Sequence, residues 1–201
     1  MTTPPLPISG DDNLILASRS PRRRQLLAEA GYRFRVIPPD ESAEGEPLPG
    51  ESPESLVARL ARRKAADVAR RVERGVVVGC DTVVECAGEI LGKPADRSDA
   101  RRMLERLSGN EHRVLSGLCL WRVPGDSPRL GTAVTRLRMD PLDAQRIEAY
   151  LDTGRWAGKA GAFGYQDGVD WVHIVEGSAS NVVGLPMELL GELLALLAAE
   201  R

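Results

Sequence analysis

The chain has 201 residues, of which 42% are apolar and 28% charged, with a formal net charge of −2. That composition excludes disordered and fibrous classes, and the length suits one domain, or one domain with two lobes about a cleft. A charge so near balance gives no field to hold a long polyanion, so no stable nucleic-acid partner is expected and any phosphate must be met by locally clustered cations. Cys80, Cys86 and Cys119 cannot all pair, and Met1 to Asp12 is polar and Pro/Thr-rich, unlike a signal peptide. These features point to the reducing cytoplasm, with residues 1–12 as a disordered tail before a single domain over 13–201. The apolar stretch Leu185 to Ala199 is broken by Pro186, Glu188, Gly191 and Glu192, short of the roughly 20 residues that span a bilayer, so no membrane is expected. His112 and His173 are the only histidines and no cysteines are closely spaced, which argues against a zinc site; any metal should be hard and oxygen-held.

Asn13 to Ala17 reads as a buried strand, followed by SRSPRRR, in which Ser20 caps a helix and Pro21 takes its first position. Leu26, Leu27 and Ala30 recur at helical spacing and Gly31 ends the helix. Phe34 to Pro38 reads as a second strand, opening into an acidic loop from Pro39 to Gly50. Ser52 and Pro53 start a helix to about Val72, whose apolar stripe carries Lys64. Val76 to Val78 reads as a short strand ending at Gly79-Cys80-Asp81-Thr82, and Val83 to Cys86 with Glu89 to Leu91 as a hairpin about Ala87-Gly88. Gly92-Lys93-Pro94 leads to a helix from about Ser98 to Leu107. His112 to Val123 and Leu130 to Met139 read as antiparallel partners, and Pro141 to about Leu151 as a helix capped by Asp140. A glycine-dense loop, Gly154 to Gly168, precedes a strand from Asp170 to Val175 and a terminal helix. The class is α/β: a mixed central β-sheet flanked by helices.

Arg19, Arg22, Arg23 and Arg24 crowd a helix start, where the macrodipole disfavours cations unless an anion binds. With the Ser18 and Ser20 hydroxyls and the first-turn amides they make a set of donors suited to phosphate oxygens; the bland alternative is a solvated basic turn. Lys64 on an apolar stripe must snorkel to water or meet a negative partner, and taken alone snorkelling is favoured. Lys93, before a proline in a loop, has no packing duty. Asp81, just past a strand end, and Glu41, in the acidic loop, make a pair of carboxylates suited with triphosphate oxygens to magnesium or manganese, against the plain readings of a cap and a solvated charge. No P-loop occurs, and the later glycines lack the strand-to-helix context of a dinucleotide fingerprint.

LILASRSPRR (Leu14 to Arg23), Asp40-Glu41, LARRKA (Leu60 to Ala65), CDTVV (Cys80 to Val84), ILGKP (Ile90 to Pro94), LSGNEHRV (Leu107 to Val114), KAGAFGYQ (Lys159 to Gln166) and NVVGLP (Asn181 to Pro186) together resemble the Maf family of nucleoside triphosphate pyrophosphatases. The resemblance implies a mixed sheet with two lobes around a nucleotide-binding cleft, a nucleoside triphosphate substrate and a divalent cation, and it is compatible with a homodimer. It assigns phosphate contacts to Arg22 and Arg23 with Ser18 and Ser20 assisting, and further positive charge to Lys64 and Lys93. By the same resemblance Asp81 is the proton acceptor and Glu41 a second carboxylate near the metal, while Arg22, Thr82 and Gln166 fall on specificity positions. AGAFGYQ is similar to the branch acting on dTTP and UTP rather than the branch acting on 7-methyl-GTP. Departures are Cys80, where Ala is common before Asp-Thr, and Pro38-Pro39 before Asp40-Glu41, where Val and Asp are usual. The rival of another class is a regulator of septum formation that binds nucleotide without turnover; convergent carboxylates favour catalysis, because a pure phosphate binder gains nothing from them.

Overall fold

The computed structural model describes residues 13–125 and 127–199; the expected tail over 1–12 lies outside them. The chain forms two compact units, one from the described residues of Met1–Asp81, Ser116–Ala133 and Gly184–Arg201, the other from Thr82–Leu115 and Val134–Val183. The strands are β1 (Leu14–Ala17), β2 (Phe34–Val36), β3 (Gly75–Cys86), β4 (Glu89–Leu91), β5 (Glu111–Val123), β6 (Arg129–Met139) and β7 (Val172–Glu176), hydrogen-bonded in the order β2-β1-β3-β5-β6-β7 with β4 added on β3. Helices α1 (Pro21–Glu29), α2 (Pro53–Ala69), α3 (Arg97–Leu107), α4 (Ala144–Asp152), α5 (Ala179–Val183) and α6 (Met187–Ala199) complete the mixed α/β class expected.

In the first unit β1 runs parallel to both β2 and β3, with Leu14 opposite Phe34 on one side and Val76 on the other. Side chains alternate across a strand, and the residues here are apolar at both parities, so both faces are built for cover. Leu14, Leu16, Val76, Val78, Leu118 and Leu120 pack with Leu27 of α1 and with Leu190, Leu193 and Leu194 of α6. The intervening Ile15, Ala17, Val77 and Cys119 pack with Ala61, Ala65 and Val68 of α2. Alpha-helix α2 can lie this close because Gly79 of β3 and Gly117 of β5 carry no side chain: a Cβ would sit 2.3 Å from the Ala61 carbonyl at the first and 2.2 Å from the Val57 carbonyl at the second.

In the second unit β4 folds back antiparallel on β3 through Ala87 and Gly88, both at positive φ, as the hairpin reading requires. β7 lies antiparallel to β6. Val84, Leu104, Leu107, Val114, Leu137, Met139, Leu151, Phe163 and Trp171 form its core.

Three boundaries differ from expectation. Residues 75–86 are one strand rather than two pieces, so Asp81 sits within β3 and not beyond its end; the whole run is buried or half-buried and Gly79 passes beneath α2 without breaking it. Alpha-helix α4 is capped by Asp143, whose carboxylate accepts from the Arg146 amide, while Asp140 bonds His173 at 2.9 Å instead. Alpha-helix α2 stops at Ala69 rather than Val72.

Candidate active site

The first unit builds its polar centre where β1 meets α1. Ser20 caps α1 by accepting from the Arg23 amide at 3.4 Å, and Pro21 follows at the first helical position. Buried Ser18, just after β1, accepts from the Ser20 amide at 3.1 Å. Arg23 folds back under this turn: its Nε donates to the Gly184 carbonyl at 2.7 Å, and Nη1 donates to the Cys80 carbonyl at 2.7 Å and to the Ser18 hydroxyl at 3.4 Å. Arg23 is therefore a brace holding the turn against the peptide next to Asp81, beyond the plain phosphate contact read from the sequence. Arg22 beside it is half-buried and Arg24 exposed.

Lys64 does not snorkel. It is 4% exposed on the face of α2 turned to the sheet, and its ammonium donates to Asp81 Oδ1 at 2.6 Å and pairs with Glu44 Oε2 at 2.7 Å. The close approach licensed by Gly79 is what puts this helix position on that strand position. The two carboxylates straddle one cation, so the bonded oxygens lie no farther apart than the sum of those two distances.

The acidic loop is held by arginines on α2 and just beyond its end. Arg71 donates to the Pro38 carbonyl at 2.8 Å, Arg63 to the Ser42 carbonyl, and Arg59 to the Glu46 carbonyl at 3.0 Å while pairing with Glu51 at 2.6 Å. Within this loop Glu41 begins a 3₁₀ turn, Glu41–Ala43, and is exposed. The carboxylate that reaches Lys64 is Glu44, a residue the sequence reading passed over. Its only sequence signal was membership of the same acidic loop, and both carboxylates are exposed, so burial does not mark it out either.

The second unit carries the remaining expected residues. Thr82 follows Asp81 on β3 and is half-buried. Lys93 is exposed in the loop after β4, and that loop is tied to the glycine-dense segment by the Gly161 amide donating to the Gly92 carbonyl at 3.0 Å. Gln166 is exposed on a 3₁₀ turn, Tyr165–Asp167. Beneath that turn lies a group the sequence reading missed. Lys159 pairs with Asp167, whose Oδ2 also accepts from the Tyr150 hydroxyl at 2.9 Å, and that hydroxyl accepts from the Gly164 amide at 3.1 Å. Burial, then the Asp167 charge, push the Tyr150 phenol well above its ordinary range.

Among the described residues no cluster of three or more His, Cys, Asp or Glu forms a cage for a metal. The Asp81 and Glu44 carboxylates are a donor set of the kind that meets magnesium together with substrate phosphates and water. No helix of the described residues is long and apolar enough to cross a membrane.

The model of the Maf family, described as Maf-like protein, matches residues 13–197. A dTTP/UTP pyrophosphatase of Rhodopirellula baltica is 52% identical over 193 residues, covering 94% of this chain and 85% of that protein. Proteins of the same name from Geobacter sulfurreducens and Clostridioides difficile are 46% and 43% identical, covering 87% and 90% of this chain and 91% and 93% of theirs. Among solved structures, the Ham1 protein of Staphylococcus aureus shares the fold at a TM-score of 0.51 and 12% identity, covering 94% of this chain and 100% of that one. With the family model matching residues 13–197 and relatives 43–52% identical over most of the chain, the chain belongs to the Maf family.

Proposed function

We propose that this chain hydrolyses dTTP and UTP between the α and β phosphates, giving the nucleoside monophosphate and pyrophosphate. The observation that carries the reading is the buried Lys64–Asp81 pair, closed on its solvent side by the exposed Glu44, one residue along β3 from the peptide that Arg23 braces beneath the α1 turn. A carboxylate clamped by an ammonium beside a helix N-terminus fits hydrolysis of a phosphoanhydride. The name shared by relatives at 43–52% identity supports the choice of pyrimidine triphosphates.

In this reading Arg22 and Arg23, the α1 amides and the Ser18 and Ser20 hydroxyls receive phosphate oxygens, and Lys64 and Lys93 add positive charge against the charge that builds on the leaving pyrophosphate. Asp81 takes the proton of a water that attacks the α-phosphorus; the new P–O bond forms as the α-phosphorus to bridging-oxygen bond breaks, and its electron pair leaves with pyrophosphate. No covalent enzyme intermediate is needed. A divalent cation held by Asp81 and by Glu44 or Glu41 supplies further charge stabilisation of the transition state when bound. Gln166, offering one donor and one acceptor, pairs with O4 and N3–H of uracil or thymine, with Arg22 and Thr82 at the other specificity positions.

The test is to incubate the protein with dTTP, UTP and 7-methyl-GTP and magnesium or manganese, and to resolve the products by chromatography. UMP with pyrophosphate is expected from UTP. UDP with orthophosphate would overturn the assigned bond, preference for 7-methyl-GTP would move the chain to the other branch, and binding without turnover would favour the regulator.

A further inference from the structure

We infer that Lys159, Asp167 and Tyr150 are positioning residues for base selection, acting through the turn that carries Gln166. The inference rests on the reading of Gln166 as the group that pairs with the base.

Gln166 itself is exposed, and a long side chain on an exposed turn has too much freedom to hold a base at hydrogen-bond distance unless its backbone is fixed. The turn supplies that fixation from one neighbouring residue. Half-buried Asp167 is bonded on a single oxygen by the Lys159 ammonium and the Tyr150 hydroxyl. Tyr150 closes the other end of the turn, its oxygen accepting from the Gly164 amide, so the segment 164–167 is gripped at both ends by one phenol and one ammonium. Tyr150 is in turn held by its ring, which meets Trp171 edge-on at 5.4 Å.

Gly164 shows how tightly this is built. A Cβ there would lie 2.3 Å from the Lys159 ammonium and 2.5 Å from Asp167 Oδ2, so only glycine leaves room for the ion pair. The sequence places that glycine two residues before the glutamine it serves. An ion pair with side chains only 11% and 10% exposed is poorly explained as a stabilising device, since hydrophobic replacement is often as stable. A pair that fixes the orientation of a recognition turn accounts for a lysine, an aspartate, a tyrosine and a glycine meeting at one point.

The experiment compares kcat/KM for UTP with that for CTP in the wild type, Tyr150→Phe, Asp167→Asn and Gln166→Ala, with full chain and magnesium. A purely structural role lowers the amount of active enzyme for both substrates and leaves their ratio unmoved, which makes the ratio the deciding quantity. Gln166→Ala is expected to collapse the preference for UTP, and Tyr150→Phe, which keeps the ring against Trp171, to lower it by roughly threefold to tenfold through a raised KM for UTP. Asp167→Asn should lower it further. If Gln166→Ala moves the ratio while Tyr150→Phe and any Asp167→Asn protein that folds leave it at the wild-type value, the positioning role is overturned. If Gln166→Ala itself leaves the ratio unchanged, the reading of Gln166 fails instead.

Discussion

At the scale of single residues, the two arginines of the α1 turn differ in what the fold asks of them. Arg23 donates to two backbone carbonyls and one hydroxyl, so Arg23→Ala strands those acceptors and is expected to lower stability by about 2–4 kcal/mol. Arg22→Ala should cost less without ligand, yet remove most of the rise in melting temperature that dTTP gives, because stabilisation by ligand follows its affinity. Thermal melts with and without dTTP, in an Asp81→Asn background that stops turnover, separate the cases; an undiminished dTTP shift in Arg22→Ala would sink its phosphate role. Asp81→Asn alone keeps the shape but cannot take a proton, and turnover should drop on the order of a hundredfold or more. The fold should survive that change because Lys64 retains Glu44 at 2.7 Å. A mutant with near wild-type turnover would show the aspartate to be a structural counter-ion only.

At the scale of elements, α2 carries the lysine of the site, and its depth on the sheet is set by glycine rather than by apolar attraction. Gly79→Ala would drive a methyl into the Ala61 carbonyl and the Ala65 amide, at 2.3 Å and 2.7 Å, and backbone cannot turn aside as a side chain can. The expected cost is about 1–3 kcal/mol with a large loss of turnover, since Lys64 lies between those two residues on the helix. An unchanged urea midpoint would refute this account of the packing. The sequence made the elements themselves legible because local chemistry marks them: Ser20-Pro21 and Ser52-Pro53 at helix starts, Ala87-Gly88 at a hairpin, alternation along β6. Asp81 within a continuous strand was hidden because Gly79 imitates a strand end when the helix above it is unseen. Glu44 and the Lys159–Asp167–Tyr150 group were illegible for a related reason. Their roles come from which loop residue reaches Lys64 and which distant side chains meet, and neither leaves a period or a spacing in the chain.

For the whole molecule, stability against acid is set in part by a histidine that takes no part in the chemistry. His112 on β5 is 3% exposed, meets Phe163 edge-on at 5.5 Å, and keeps an Nε2 with no hydrogen-bond partner among the described residues. Burial depresses its pKa from 6.5 to about 4, against smaller opposing effects of the Asn110 carbonyl and the Glu85 charge. The unfolded chain takes up a proton there below pH 6.5 while the folded chain refuses it until about pH 4. Acidification therefore favours unfolding, and the stability lost between those two values is about 3 kcal/mol. Glu51, held at about 2 by Arg59 and the Leu48 amide, loses its contribution only below its ordinary 4.5, so the two windows barely meet. Urea unfolding at pH 7, 5.5 and 4.5 should show the wild type weakening steadily across this range. His112→Leu, which fills the site without a titratable nitrogen, should be nearly flat over the same interval and more stable than the wild type at pH 4.5. Parallel pH dependence in the two proteins would show that another group governs acid unfolding and that His112 is protonated in the folded state.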